Sequence, residues 1–457
     1  MAFARLDEAL DCIEAGALAG VIKDSGLPLL NMWPSDTYAY SAPSHIGHAI
    51  AIAGYSSALG ISLYAASTVG FVVATLLIAW CALALFAVRV QPRAGYALLV
   101  VLATLAIGQL TLPWLHDPAA ARAPLETGIW VASRSYWNIS QAISIALTFG
   151  GLLILDRYGA ERREGRVQLP LLGVAVGLIA IAGLVKPSLV IYFGPALFLW
   201  LALSGARVME YLVTFVVLQL SFMIYLLPRF LHVVPTVPGW SFGPEEGQWA
   251  EAALFLWHAA FGITIAIVGV LYRSLAAVGW RERRWQVLDL GVIALGGSVL
   301  FTLLFREDRF VGFPVMQPNI WWGVSGCIVL LVPLASRELP DMLKTGAHLR
   351  WLAAASLLVM AVQTLNGLRV AWEYPVMNLR RHEAALAETL DKARELTGPE
   401  TRFAIDPSLE HLDLRAFLSR PSLMRTSYAS PRDRQAYSRW KTFVASGRAR
   451  RNADPHG

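Results

Sequence analysis

The chain has 457 residues, 56% of them hydrophobic and only 15% charged, with 16 tryptophans and a mean hydropathy of +0.52. Soluble domains carry about 25% charged residues, so this composition argues against a soluble globular protein and marks an integral membrane protein. The formal charge of +6 is no nucleic-acid signature, because the charges must first be divided between the two sides of a bilayer.

Residues 1–30 lack a charged segment leading into a continuous apolar stretch, so no signal peptide is expected. DEALDCIEAG (7–16) carries Asp7, Glu8, Asp11 and Glu14; Asp11 and Glu14 are three apart and share one face of a helix. As a charge run, this is a solvated helix face. As a site, a carboxylate near apolar groups at a membrane surface can serve as a base at neutral pH. WPSDTYAYSAPSHIGH (33–48) then crowds Asp36, Tyr38, Tyr40, His45 and His48 into one loop. Aromatic rings with polar ends suit a carbohydrate, and they suit a membrane interface equally. His45 and His48 lack a third ligand of metal-site spacing, so no metal is expected. SHIGHAIAIAGYSSALG has the apolar spacing of a helix lying at the interface.

Ten apolar stretches long enough to span follow: 60–88, 95–112, 137–155, 169–185, 188–204, 207–228, 250–272, 287–305, 319–335 and 351–371. The fourth and fifth are short and meet at Val185-Lys186-Pro187-Ser188, a corner at one membrane face. A lysine there either snorkels to water or offers a point charge to a lipid phosphate. After the eighth span comes FREDRFVGFPVMQPNIWWG (305–323), where Arg306 and Arg309 alternate with Glu307 and Asp308. Arginine pairs bind phosphate by bidentate hydrogen bonds, and alternating charges also satisfy one another. His116, Asp117, Arg134, Tyr136 and Trp137 add weaker polar signals in the loop between the second and third spans.

From 372 onward the composition is that of a soluble region. LRRHEAALAETLDKARELTG reads as an amphipathic helix, TRFAIDP and SLMRTSY as short strands around a helix at 408–418, and the last dozen residues as disordered. The fold class expected is therefore an all-α polytopic membrane protein with a small α/β C-terminal domain. Its parts are a loop region 1–59, a transmembrane domain 60–371 and a C-terminal region 372–457.

One set of loops holds fourteen Lys and Arg residues in short connections, and the opposite set, including the N-terminal tail, holds eight over a greater length. The dense set is expected in the cytoplasm, which puts residues 1–59, Lys186, Arg306 and the C-terminal region outside. Cys12, Cys81 and Cys327 predict no disulfide framework. No phosphate-binding glycine loop, CxxC, HExxH or GxSxG motif occurs, and no row of acids crosses the spans.

An acidic helix followed by Ser25-Gly26-Leu27-Pro28, a tryptophan/tyrosine loop and an interfacial helix resembles the first external loop of GT-C superfamily glycosyltransferases, relatives of protein mannosyltransferases and lipid A aminoarabinose transferases. The acid that such proteins carry about fifteen residues before the glycine lands on Asp11, with Glu14 as the nearest match to a second polar residue. The Lys186-Pro187-Ser188 corner resembles their lysine turn, and Arg306 to Arg309 their late outer arginine cluster. Such proteins have a transmembrane helix before the acidic loop, and none is seen here. The chain is accordingly expected to be shortened at its N-terminus or to be a diverged member without activity.

The resemblance implies transfer of a sugar from a polyprenyl-phosphate donor to a glycan, lipid or protein acceptor at the outer face of the inner membrane, without a cofactor. Asp11 would be the base, assisted by Glu14. Lys186, Arg306 and Arg309 would take the donor phosphate, and Asp36, Tyr38, Tyr40 and His45 the acceptor. Two other classes remain: a lipid-linked oligosaccharide polymerase or ligase, and a non-catalytic membrane subunit or transporter.

Overall fold

The computed structural model describes residues 42–61, 63–87, 94–107, 139–230, 240–243, 260–277, 285–307 and 318–373, with a few isolated positions beyond them. The elements in order are α1 (Ala42–Leu59), α2 (Leu63–Ala87), α3 (Ala94–Ala106), α4 (Ile139–Arg163), α5 (Leu169–Val185), α6 (Pro187–Leu203) and α7 (Val208–Phe230). Strand β1 (Trp240–Phe242) comes next, then α8 (Phe261–Ala277), α9 (Val287–Leu304), β2 (Phe305–Glu307), α10 (Pro318–Ser336), α11 (Leu339–Lys344) and α12 (Ala347–Glu373). The two strands pair antiparallel. The chain divides into two compact units, one of Met1–Gly70, Ile224–Val237 and Val376–Gly457, the other of Phe71–Met223 and Pro238–Pro375.

Each of the ten stretches expected as spans carries a helix. Among the described residues, two helices, Ser140–Arg163 and Ala347–Leu368, are long and apolar enough to cross a bilayer by themselves, and eight shorter apolar helices accompany them. Leu76, Trp80, Leu98, Phe215, Leu358 and Leu365 stand exposed on these helices. In water such side chains would form the extended apolar surface that soluble proteins avoid; against hydrocarbon they are at home. This is a membrane protein, mostly helical. Of the expected C-terminal amphipathic helix, Lys392, Glu395 and Leu396 are described and are helical; the expected strands and the helix at 408–418 fall outside the described residues.

In the first unit, α1 reaches its end at Leu59, and the Ser56 hydroxyl closes it by donating to the Ile61 carbonyl at 2.7 Å.

The second unit is organised around α10. Its side chains are buried from Gly323 to Ser336, and it packs against α3, α4, α6, α8 and α9. Beside it α4 and α5 form an antiparallel hairpin whose turn closes on Gly165, at φ +84°. The Gly165 amide donates to Arg162 and that of Arg166 to Glu161, bonds that cap a helix end when glycine takes the left-handed conformation.

The ends of α4, α6, α8 and α10 that lie on the α4–α5 turn side form an arginine pole. The Arg337 Nη1 and Nη2 atoms each donate to Asp156 Oδ1 at 3.2 Å, and both side chains are almost fully shielded. Arg337 Nε lies 3.7 Å from Glu338 Oε1, while the other Glu338 oxygen accepts from Arg273 at 2.5 Å. A second group centres on Glu210. Its Oε1 accepts from the Tyr158 hydroxyl and from Arg162 Nε, and its Oε2 from the Arg207 backbone N–H at 2.6 Å. That last bond is half of a capping box, with an acid three residues into α7 satisfying the amide at the helix start. The Arg162 guanidinium also lies 4.8 Å from the centre of the Trp285 ring, and Trp200 meets that ring edge-on.

These pairings explain why α4 runs to Arg163 rather than stopping near 155. Asp156, Tyr158 and Arg162 are polar but partnered, so the helix extends past the apolar stretch without burying an unpaired charge.

Gly159 tests the closeness of this pole, because a Cβ there would run into the Trp285 carbonyl. Gly159→Ala is expected to cost about 1–3 kcal/mol, as overpacking does. Gly297→Ala, which meets open space, should be neutral or stabilise by up to about 1 kcal/mol. Unfolding midpoints of the two variants in detergent decide it; equal midpoints would show that Trp285 does not press on α4.

Candidate functional site

The opposite end of the second unit is a lysine pole. Lys186 lies between α5 and α6 with an extended backbone, φ −152° and ψ 122°. Sequence dictates this. A residue preceding proline is pushed out of the helical region, and Pro187 opens α6 at a position whose N–H would lack an intrahelical partner anyway. The Lys186 amide still donates to the Ala182 carbonyl at 2.9 Å, which finishes α5. Two helices thus meet at one residue.

Lys186 is 2% exposed. The first turns of α4 hold the corner on both sides: Ser144 Oγ donates to the Lys186 carbonyl at 3.4 Å, and Ser188 Oγ donates to Gln141 Oε1 at 2.8 Å. Ser140, Gln141, Ser144 and Thr148 are all buried. From the other side α10 comes close. A Cβ on Gly323 would strike the Tyr192 ring and the Ser188 carbonyl, and one on Gly326 would press on Leu189 and the Gln141 amide. Glycine is what allows that approach.

The corner is also joined to β2 by aromatic rings. Tyr192 of α6 meets Phe301 edge-on at 5.9 Å, and Phe301 stacks on Phe305 at 4.6 Å. Phe305 meets Phe242 of β1 at 5.7 Å. Arg306 is the next residue of β2 and pairs with Ser241 in register. Lys186 and Arg306, read from the sequence as phosphate-binding candidates, are thereby carried on elements packed at the same pole. His45 falls in the first turns of α1, in the other unit. Asp11, Glu14, Asp36, Tyr38, Tyr40 and Arg309 lie outside the described residues.

Gln141 and Ser144 went unremarked in the sequence reading, although they carry a signal. Ser140, Gln141, Ser144 and Thr148 recur at helical spacing along one face of an otherwise apolar span, the mark of a face turned to polar partners.

The mostly helical fold has counterparts of known structure. The crystal structure of ArnT from Cupriavidus metallidurans bound to undecaprenyl phosphate aligns over 93% of this chain and 84% of that one, with TM-score 0.54 and 14% identity. Its apo state aligns over 93% and 83%, with TM-score 0.51 and 13% identity. No protein-family model and no curated protein matches the sequence. The resemblance read from the motifs is borne out as a fold: the chain shares the architecture of ArnT over most of its length.

The bond between Ser188 and Gln141 should be energetically real. A double-mutant cycle of Ser188→Ala and Gln141→Leu is expected to give a coupling of about 0.5–2 kcal/mol, the range for interhelical hydrogen bonds in membranes. Additive losses in unfolding free energy would mean that the corner is held by packing alone.

Proposed function

We propose that the chain is a GT-C-type glycosyltransferase that moves a sugar from a polyprenyl-phosphate donor to an acceptor at the outer face of the inner membrane. The observation that carries this reading is the fold shared along most of the chain with a transferase whose crystal structure holds undecaprenyl phosphate. The buried lysine corner supports it.

In this reading the ten apolar helices from α2 to α10 and α12 cross the bilayer, the arginine pole faces the cytoplasm, and the lysine pole faces outward. The regions 1–59 and 372–457 lie outside. The acceptor hydroxyl, held by Asp36, Tyr38, Tyr40 and His45, attacks the anomeric carbon. Asp11 takes its proton, with Glu14 beside it. The bond from that carbon to the phosphate oxygen breaks, and the departing lipid phosphate keeps the electron pair. Lys186, Arg306 and Arg309 neutralise the charge that develops there, which is where fixed electrostatics lower a barrier most.

Arg306→Ala and Arg309→Ala should each weaken binding of undecaprenyl phosphate by about 1.5–3 kcal/mol, the worth of a hydrogen bond to a charged group, and more than Glu307→Ala does. Affinities left unchanged in folded protein would make the cluster a set of internal salt bridges.

Asp11→Asn keeps the side chain's volume and removes the base, so turnover should vanish while donor binding stays near wild type. A base must stand within about 3 Å of the proton that it takes, which makes Asp11 indispensable in this scheme. A variant that still turns over would return Asp11 to the solvated face of a helix, and a protein that never turns over would be a binding subunit.

A further inference from the structure

The arginine pole and the lysine pole are tied to each other by the same two helices. α4 carries Gln141 and Ser144, which hold the lysine corner, and at its other end Asp156. α10 carries Gly323 and Gly326, which approach that corner, and is followed at once by Arg337. Both helices run in the same direction between the poles. From Gln141 to Asp156 is fifteen residues, about 22 Å of helix, and from Gly326 to Arg337 is eleven, about 16 Å. The long arginine side chain spans most of the difference. The two helices are therefore pinned at both ends.

The lower pin is the stricter one. Arg337 meets Asp156 through two nitrogens on one carboxylate oxygen, each at 3.2 Å, with the arginine side chain fully shielded. Two donors converging on one oxygen are directional bonds, and both lengthen when α10 slides along α4. The contacts of α10 at the other pole, by contrast, are glycines against the Tyr192 ring, the Ser188 carbonyl, Leu189 and the Gln141 amide, surfaces along which a helix could shift by a fraction of a turn. Between the poles α10 presents a buried run of Val324, Cys327, Ile328, Leu331 and Leu334, apolar packing that lacks the directionality of a hydrogen bond.

From this geometry we infer that Asp156 and Arg337 are a positioning pair: by fixing the axial register of α10 against α4, they set the lysine corner that the proposed function assigns to the donor phosphate. The inference rests on that reading for its functional consequence and on α4 and α10 alone for its structural one. Both residues lie at the pole opposite the lysine corner. A buried ion pair often adds little net stability over a well-packed apolar pair of similar volume, so removing both charges separates register from stability.

The experiment uses the full chain in lipid nanodiscs, in a background of Cys12→Ser and Cys81→Ser, so that the native Cys327 on α10 is the reporter. Cys327 is fully buried and should react slowly with N-ethylmaleimide. Asp156→Leu/Arg337→Met is expected to unfold at the wild-type temperature, to bind undecaprenyl phosphate at least tenfold more weakly, and to expose Cys327 to reaction at least tenfold faster. Asp156→Glu, which keeps the pair, should recover most of both. Where the double variant fails to fold, Arg337→Lys reports the same two quantities, because it keeps the charge and loses the fork. A double variant with wild-type affinity and wild-type Cys327 protection overturns the inference, and so does an affinity that falls only in step with lost thermal stability. If the unsubstituted protein binds no undecaprenyl phosphate, the proposed function fails, and Cys327 reactivity alone then decides whether the pair sets the register.

Discussion

Hydrocarbon cannot solvate a guanidinium, and the need to match the charge of Arg337 shapes much of the second unit. Arg337 follows directly on α10, the helix with most neighbours, and its side chain is fully shielded. A charge so placed is tolerable only with a partner of good geometry, since isolating it would cost several kcal/mol. Asp156 supplies that partner from α4, and Glu338 lends a second carboxylate at 3.7 Å. Glu338 is in turn held by Arg273 of α8. Three helices are thus joined at one pole by alternating charge, and the same logic recurs nearby where Glu210 gathers Tyr158, Arg162 and the Arg207 amide.

With its end fixed in this way, α10 can be buried on all sides. Burial of a helix among five others demands close approach, and side-chain volume limits it. Gly323 and Gly326 lie where α10 meets α6 and α4, and Gly291 of α9 lies where Leu331 of α10 rests against it. Van der Waals packing of this kind, rather than a hydrophobic drive, holds helices together in lipid. The outer surface of the helices is left to apolar side chains such as Trp80 and Phe215, which find in lipid the environment that the core supplies elsewhere.

Legibility in the sequence divides along the same line. Helix positions were readable because an apolar stretch of spanning length has few alternatives. Residues 169–185 became α5 to the residue, since Lys186-Pro187 forces the break that the sequence announces. The extension of α4 to Arg163 was not readable, because it depends on partners such as Glu210 and Arg337, 48 and 181 positions away. No local periodicity encodes such a pairing. What the sequence did offer was an acid, Asp156, at the end of the third apolar run and another, Glu210, near the start of the sixth, each a cost unless paired. Arg162, Arg337 and Arg273 counted only as loop charges that set orientation; in the structure they are also the counter-charges of those acids. At the lysine pole the corner itself was legible, while the hold on it from Gln141 and Ser144 required seeing α4 beside α5 and α6.

A phosphate group bound by two cations needs those cations held at a fixed separation, and side chains on separate loops would not provide it. Here the corner and the strand are parts of one packed assembly. Tyr192 stands six residues after Lys186 on α6, one and a half turns into the helix. Its ring is locked edge-on to Phe301, which stacks on Phe305, which meets Phe242 across the strand pair. Edge-to-face and offset-stacked rings contribute about 0.5–1.5 kcal/mol each beyond their buried area and prefer defined angles. A chain of three such contacts therefore resists both separation and rotation of β2 against α6. The backbone at Arg306 is in this way indexed to the backbone at Lys186, even though 120 positions of sequence separate them. Such indexing of the two backbones is what the proposed use of both residues on one lipid phosphate would require.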